Sequence, residues 1–182
     1  MRLFLGIPLA PGVIGTLETL VKSLRSEGGN LRWGSSESWH ITLQFLGETS
    51  EEKARCVADR LRDVRSPAVP VQLDGTGFFE RAGVFFAGVS VSPEMLGLEK
   101  LVLAATAHCG VAAENRPFRP HVTLARIKSD HRMNALRHLK QRVSRDVTFP
   151  AFLATEFLLY EAFLGAGGSR YEVRDRFPLG DC

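Results

Sequence analysis

Two short segments, His40-Ile41-Thr42-Leu43 and His121-Val122-Thr123-Leu124, repeat one polar–apolar alternation at an offset of 81 residues. Side chains two apart on a strand share a face, so each histidine lies beside its threonine while the aliphatic pair points the other way. One face is core and the other is chemistry. Burial of the aliphatic residues sets the register, because a slip of one residue would drive the imidazole into the core. Threonine favours the extended backbone through its branched Cβ and supplies a hydroxyl without disturbing the strand. The chain must therefore build two half-buried strands with equivalent polar faces.

The repeat extends faintly around these segments. Phe4 and Leu5 map onto Phe85 and Phe86, and Leu17, Leu20 and Val21 onto Leu98, Leu101 and Val102. Each half reads as a strand followed by an amphipathic helix: Arg2 to Ile7 then Pro11 to Arg25, and Val84 to Val91 then Pro93 to His108, with Ser92 as a helix cap. After an irregular stretch come the motif strands, Trp39 to Phe45 and His121 to Arg126, each followed by a helix, Ser50 to Arg65 and Ser129 to Arg145. Further strands are predicted at Val69 to Leu73, Thr155 to Tyr160 and Tyr171 to Arg174. The pattern is α+β, with two pseudo-symmetric lobes, each an antiparallel or mixed sheet with flanking helices, and a groove between them. No linker separates the halves, so residues 1–182 are expected to form a single bilobal domain, a monomer by default.

Composition narrows the class. With 45% hydrophobic and 24% charged residues, the chain is neither disordered nor collagenous, and no apolar run approaches the ~20 residues of a membrane span. Met1 to Pro8 is too quickly interrupted for a signal-peptide core, which makes a cytoplasmic location the expectation. Cys56, Cys109 and Cys182 form an odd set without metal-type spacing, expected as thiols, with the first two as small buried hydrophobes. Arg116 to Arg145 holds nine basic residues against Asp130 alone, a local field that attracts phosphate, although such runs also occur as solvated helix faces.

Two imidazoles and two hydroxyls facing one groove suit phosphodiester chemistry. One histidine takes a proton from an attacking water and the other gives one to the departing sugar oxygen, and an ordinary pKa near 6.5 serves both roles. The threonine hydroxyls can donate to the non-bridging oxygens, where negative charge builds. A lone histidine on a strand is an ordinary hydrogen-bonded residue; two at matching positions point to a shared task. His108 at a predicted helix end reads as a partner of the terminal carbonyls, and His131 and His138, on the surface of a basic helix, lack further ligands for a metal. Gly165 to Gly168 lacks the strand–turn–helix setting of a dinucleotide loop and reads as a hairpin. Phe45, Phe118 and Tyr160 could stack on a base, although core packing is the expectation for Phe45, and Trp33 and Trp39 could be core or groove wall.

The motifs resemble those of the 2H phosphoesterases, and within them the RNA 2′,3′-cyclic phosphodiesterases also described as 2′-5′ RNA ligases. The resemblance rests on Arg2 to Ile7, Trp39 to Glu48, Arg116 to Arg126, and Leu158-Leu159-Tyr160 with Tyr171, so it spans most of the chain. It implies His40 as general acid and His121 as general base, with Thr42, Thr123, Arg119, Arg126, Phe45 and Tyr160 as substrate contacts. It further implies hydrolysis of RNA ends carrying a 2′,3′-cyclic phosphate to a 2′-phosphate without metal or nucleotide cofactor, and ATP-independent ligation as the corresponding transesterification. Ala162 stands where many relatives carry Ser. Strict alternation from His121 would turn Arg126 to the opposite face, so either the strand ends or bulges before it or Arg126 serves the outer surface. Other readings keep the paired histidines with a different cyclic or oligonucleotide substrate, or make the groove a non-catalytic phosphate clamp.

Overall fold

The computed structural model describes residues 1–25, 31–112, 115–127, 139–140, 143, 147–165 and 168–180. Their elements run β1 (Arg2–Pro8), α1 (Pro11–Arg25), β2 (Leu31–Trp33), a 3-10 turn (Ser36–Ser38), β3 (His40–Glu48), α2 (Glu51–Arg62), β4 (Val69–Val71), β5 (Leu73–Phe79), β6 (Val84–Val89), α3 (Pro93–Ala107), β7 (His121–Ile127), β8 (Phe152–Ala154), β9 (Glu156–Gly165) and β10 (Gly168–Pro178). Two four-stranded sheets, ordered β10-β9-β1-β3 and β2-β7-β6-β5, form the lobes, and β4 pairs with β8 in a small ribbon. Among the described residues every strand pair is antiparallel. The sheets exchange strands between the sequence halves: the C-terminal hairpin β9–β10 completes the first sheet, and β2 from the first half completes the second.

Local signals place the helices. Ser50 and Ser92 accept from the backbone N–H groups of Lys53 and Met95, satisfying donors that the first helical turn leaves open. Val13, Leu17, Leu20, Val21 and Leu24 form the buried stripe of α1, and Met95, Leu98 and Val102 that of α3. These stripes join the inner faces of both sheets in one continuous core, which includes Leu5, Ile7 and Ile41 from one lobe and Phe85, Val122 and Leu124 from the other. Truncating a fully buried leucine here, such as Leu124→Ala, would cost roughly 2–5 kcal/mol.

The duplication is real but its strand register differs from the sequence alignment. Thr42 pairs with Gly6 and Thr123 with Phe86, so Gly6, not Leu5, is the equivalent of Phe86. The helical match holds for Leu17 with Leu98 and Val21 with Val102, whereas Leu101 is exposed and Leu20 buried. Apolar residues occupy both faces of these strands, which hides a shift of one residue in the sequence.

Cys56 on α2 and Cys109 just beyond α3 are joined as a disulfide, which corrects the expectation of two thiols. The sulfurs meet because the two helices pack together with Cα atoms 5.9 Å apart, a tertiary contact that cysteine spacing does not reveal. Closing a loop with a separation of 53 residues stabilises the fold by about 4 kcal/mol in the chain-entropy account. Cys182, His131 and His138 lie outside the described residues, as does most of the helix predicted over Ser129 to Arg145. No helix among the described residues is long and apolar enough to cross a membrane.

Candidate active site

The two motif strands belong to different sheets yet lie against each other where the lobes meet. Each carries the same irregularity. Thr42 pairs with Gly6 but Gln44 with Leu5, so Leu43 is an extra residue; Thr123 pairs with Phe86 but Ala125 with Phe85, so Leu124 is its counterpart. Such a bulge reverses the alternation beyond it. Leu43 and Gln44 are both buried, as are Leu124 and Ala125, and the next residues, Phe45 and Arg126, return to the face of the histidine and threonine. The bulge before Arg126 thus decides between the two placements that strand alternation leaves open. The Gly34 N–H donates to the Leu124 carbonyl at 2.9 Å, satisfying a backbone group at the bulge.

The two imidazoles are held in matching ways. His40 Nδ1 lies 2.9 Å from the Ser38 carbonyl, and His121 Nδ1 lies 2.7 Å from the Arg119 carbonyl. A carbonyl only accepts, so in both rings Nδ1 carries the proton and the neutral imidazole keeps its lone pair on Nε2. Aromatic rings enclose both. The His40 ring is 4.5 Å from Phe4, 5.1 Å from the edge-on Tyr171 and 5.6 Å from Tyr160. The His121 ring meets Phe79 edge-on at 4.9 Å and Phe86 at 5.3 Å. Gly6 leaves the room the first ring needs, since a Cβ there would stand 2.9 Å from the Ile41 carbonyl and 3.4 Å from His40.

This burial sets the electrostatics. Desolvation pushes the His40 pKa down to about 4, against the raising effect of the Ser38 hydrogen bond, and the charge of His121 lowers it further. Desolvation also lowers His121, and the Arg126 guanidinium adds to the shift. The charge of His121 therefore reaches His40 across the interlobe contact, and that of Arg126 reaches His121. Burial raises the Tyr160 phenol to about 12, so it stays protonated.

Of the other predicted residues, Thr42 and Thr123 stand half-buried on the histidine face. Tyr160 stacks on Phe4 at 4.9 Å in a small cluster with Leu158, Ala162 and Tyr171 on that face of the first sheet. Phe45 is 60% exposed, which settles it as surface and not core. Arg119 is exposed, with its carbonyl committed to His121. Phe118, Trp33 and Trp39 pack into the core. Phe4, Phe79, Phe86, Tyr171 and Gly6 also shape the site; Phe79 ends a strand for which the sequence offered no alternation, and the register shift described above conceals the place of Phe4. Among the described residues no group of three His, Cys, Asp or Glu side chains could hold a metal ion.

Residues 17–161, which contain both motifs, match the profile of the 2′-5′ RNA ligase superfamily. The chain belongs to that family. An RNA 2′,3′-cyclic phosphodiesterase of Aquifex aeolicus is 33% identical over 82% of this chain and 82% of its own, and one of Escherichia coli K12 is 30% identical over 80% and 78%. The solved structures agree. The protein TT0787 of Thermus thermophilus superposes with a TM-score of 0.81 at 26% identity, covering all of both chains. E. coli LigT in complex with 3′-AMP superposes with a TM-score of 0.75 at 28% identity, covering 98% of this chain and 97% of its own.

Proposed function

We propose that the chain is an RNA 2′,3′-cyclic phosphodiesterase that opens a terminal cyclic phosphate to a 2′-phosphomonoester without metal or nucleotide cofactor. The observation that carries this reading is the pair of Nδ1-anchored imidazoles, one on each of two motif strands that lie against each other where the lobes meet, with the charge of His121 felt at His40. The names of its relatives and the 3′-AMP complex of E. coli LigT support an RNA end as substrate.

In this reading His121 Nε2 removes a proton from water, whose oxygen attacks phosphorus. The bond from phosphorus to the sugar 3′-oxygen breaks, and that oxygen takes the proton from His40 Nε2. Proton exchange with solvent resets both rings. Thr42 and Thr123 donate to the non-bridging oxygens as charge accumulates. A ribose 5′-hydroxyl replacing water would give ligation, with the strained cyclic ester as the activated group. His40 is neutral at pH 7 in the free protein, so its acid role requires the substrate phosphate, whose negative charge favours the imidazolium.

Incubation of RNA bearing a 2′,3′-cyclic end, with EDTA present, should yield the 2′-phosphate. No product while mononucleotide substrates turn over would remove the RNA-end assignment. The pH profiles test the proton logic. Both kcat/KM and kcat should be bell-shaped, and the bell for kcat should lie at higher pH because bound phosphate raises both imidazoles. Coincident bells, or a flat response between about pH 5 and 9, would count against the histidine pair.

A further inference from the structure

Beside Arg126 stands an arginine that the motifs do not include. In the register of β2 with β7, Arg32 is directly opposite Arg126. Antiparallel partners share a face, and the flanking residues show which one. Leu31 and Trp33 pack on the core, with Trp33 edge-on to Phe85 at 6.0 Å, so Arg32 points to the opposite side, the face of His121, Thr123 and Arg126. Like charges directly across a strand pair repel at Cβ separations of about 5 Å. Among the described residues no carboxylate forms an ion pair with either arginine. A repelling pair on an open polar face is the arrangement that an anion stabilises, and paired guanidinium groups fit phosphate geometry.

We propose that Arg32 and Arg126 together clamp the phosphodiester next to the reacting cyclic phosphate, so that the site takes the end of an RNA strand in preference to a mononucleotide. The position argues for the neighbouring phosphate. His121, Thr123 and Arg126 form one row along β7, and a strand advances about 3.3 Å per residue, which puts the arginine backbones more than about 10 Å past the histidine. The threonine hydroxyls are nearer to the reacting phosphorus, and the guanidiniums meet what lies beyond it. This inference rests on the cyclic phosphodiesterase reading and adds the length of the substrate to it.

Three probes separate the possibilities: cytidine 2′,3′-cyclic phosphate, a dinucleotide ending in the same group, and that dinucleotide with a neutral methylphosphonate linkage. The wild-type protein should favour the charged dinucleotide in kcat/KM by about tenfold or more, and the methylphosphonate should remove most of the advantage. Arg32→Ala should lose about tenfold on the charged dinucleotide and less than about twofold on the mononucleotide, with Arg32→Lys intermediate. The same Ala variant should melt no lower than wild type, because it relieves the repulsion with Arg126. Equal losses on all three probes, no loss on any, or full preference for the methylphosphonate would overturn the clamp alone. Failure of the wild-type protein on every probe would overturn the phosphodiesterase reading and the clamp with it.

Discussion

The two lobes place six pairs of side chains at equivalent positions of their motif strands, and the first four, the buried Ile41 and Val122 among them, correspond in kind. His40 and His121, Thr42 and Thr123, and Leu43 and Leu124 correspond; then Gln44 stands where the other strand has Ala125, and Phe45 where it has Arg126. Both strands bulge at the same leucine, so both last residues return to the polar face. The divergence is chemical. In the first lobe the buried Gln44 accepts from Thr106 of α3 at 2.8 Å, and the row ends in an exposed aromatic ring. In the second lobe Ala125 is buried without a polar group, and the row ends in a guanidinium beside Arg32. In the proposed function the duplicated strand would keep the reacting groups equivalent while its far ends would take different parts of one ligand. An aromatic end suits a base and a cationic end suits backbone phosphate.

The sharpest break would come from the shared part. His40→Ala and His121→Ala should each lower turnover by roughly 100-fold or more with the fold retained, as read by steady-state kinetics and circular dichroism. A near-wild-type rate in either would show that only one lobe contributes a reacting group.

The enclosure of the imidazoles separates the lobes next. His40 is neutral in the folded chain well below the pH at which it protonates unfolded, so the unfolded state binds the extra proton and stability falls as pH drops from about 6.5 to about 4. The loss attributable to this ring is about 3 kcal/mol. His40→Gln should flatten that part of a urea-unfolding series across pH, and His121→Gln should do so to a lesser extent in the same direction. Identical curves for wild type and His40→Gln would mean that the aromatic enclosure by Phe4, Tyr160 and Tyr171 does not desolvate the ring.

The divergent ends give the smallest effects. Phe45→Ala should raise KM for a cyclic-phosphate RNA end by about tenfold, the size of one lost base–aromatic stack, with little change in kcat or melting temperature. Its effect should be insensitive to salt, whereas that of Arg126→Ala should diminish as salt rises, because only the second removes a phosphate contact. Matching salt responses would erase the distinction between an aromatic and a cationic end.

What could be read from residues alone was whatever burial pattern and local capping express. The α+β class, the helices after Ser50 and Ser92, and the two polar strand faces with His40, Thr42, His121 and Thr123 follow from periodicity and cap chemistry, which act over a few neighbouring residues. The direction of Arg126 did not, because a bulge depends on how the neighbouring strand pairs. The same holds for Phe79 and Phe86 around His121, for Arg32 arriving from the other half of the chain, and for Cys56 meeting Cys109. Each of these joins residues far apart in sequence, and only the packing of sheets that exchange strands brings such residues together.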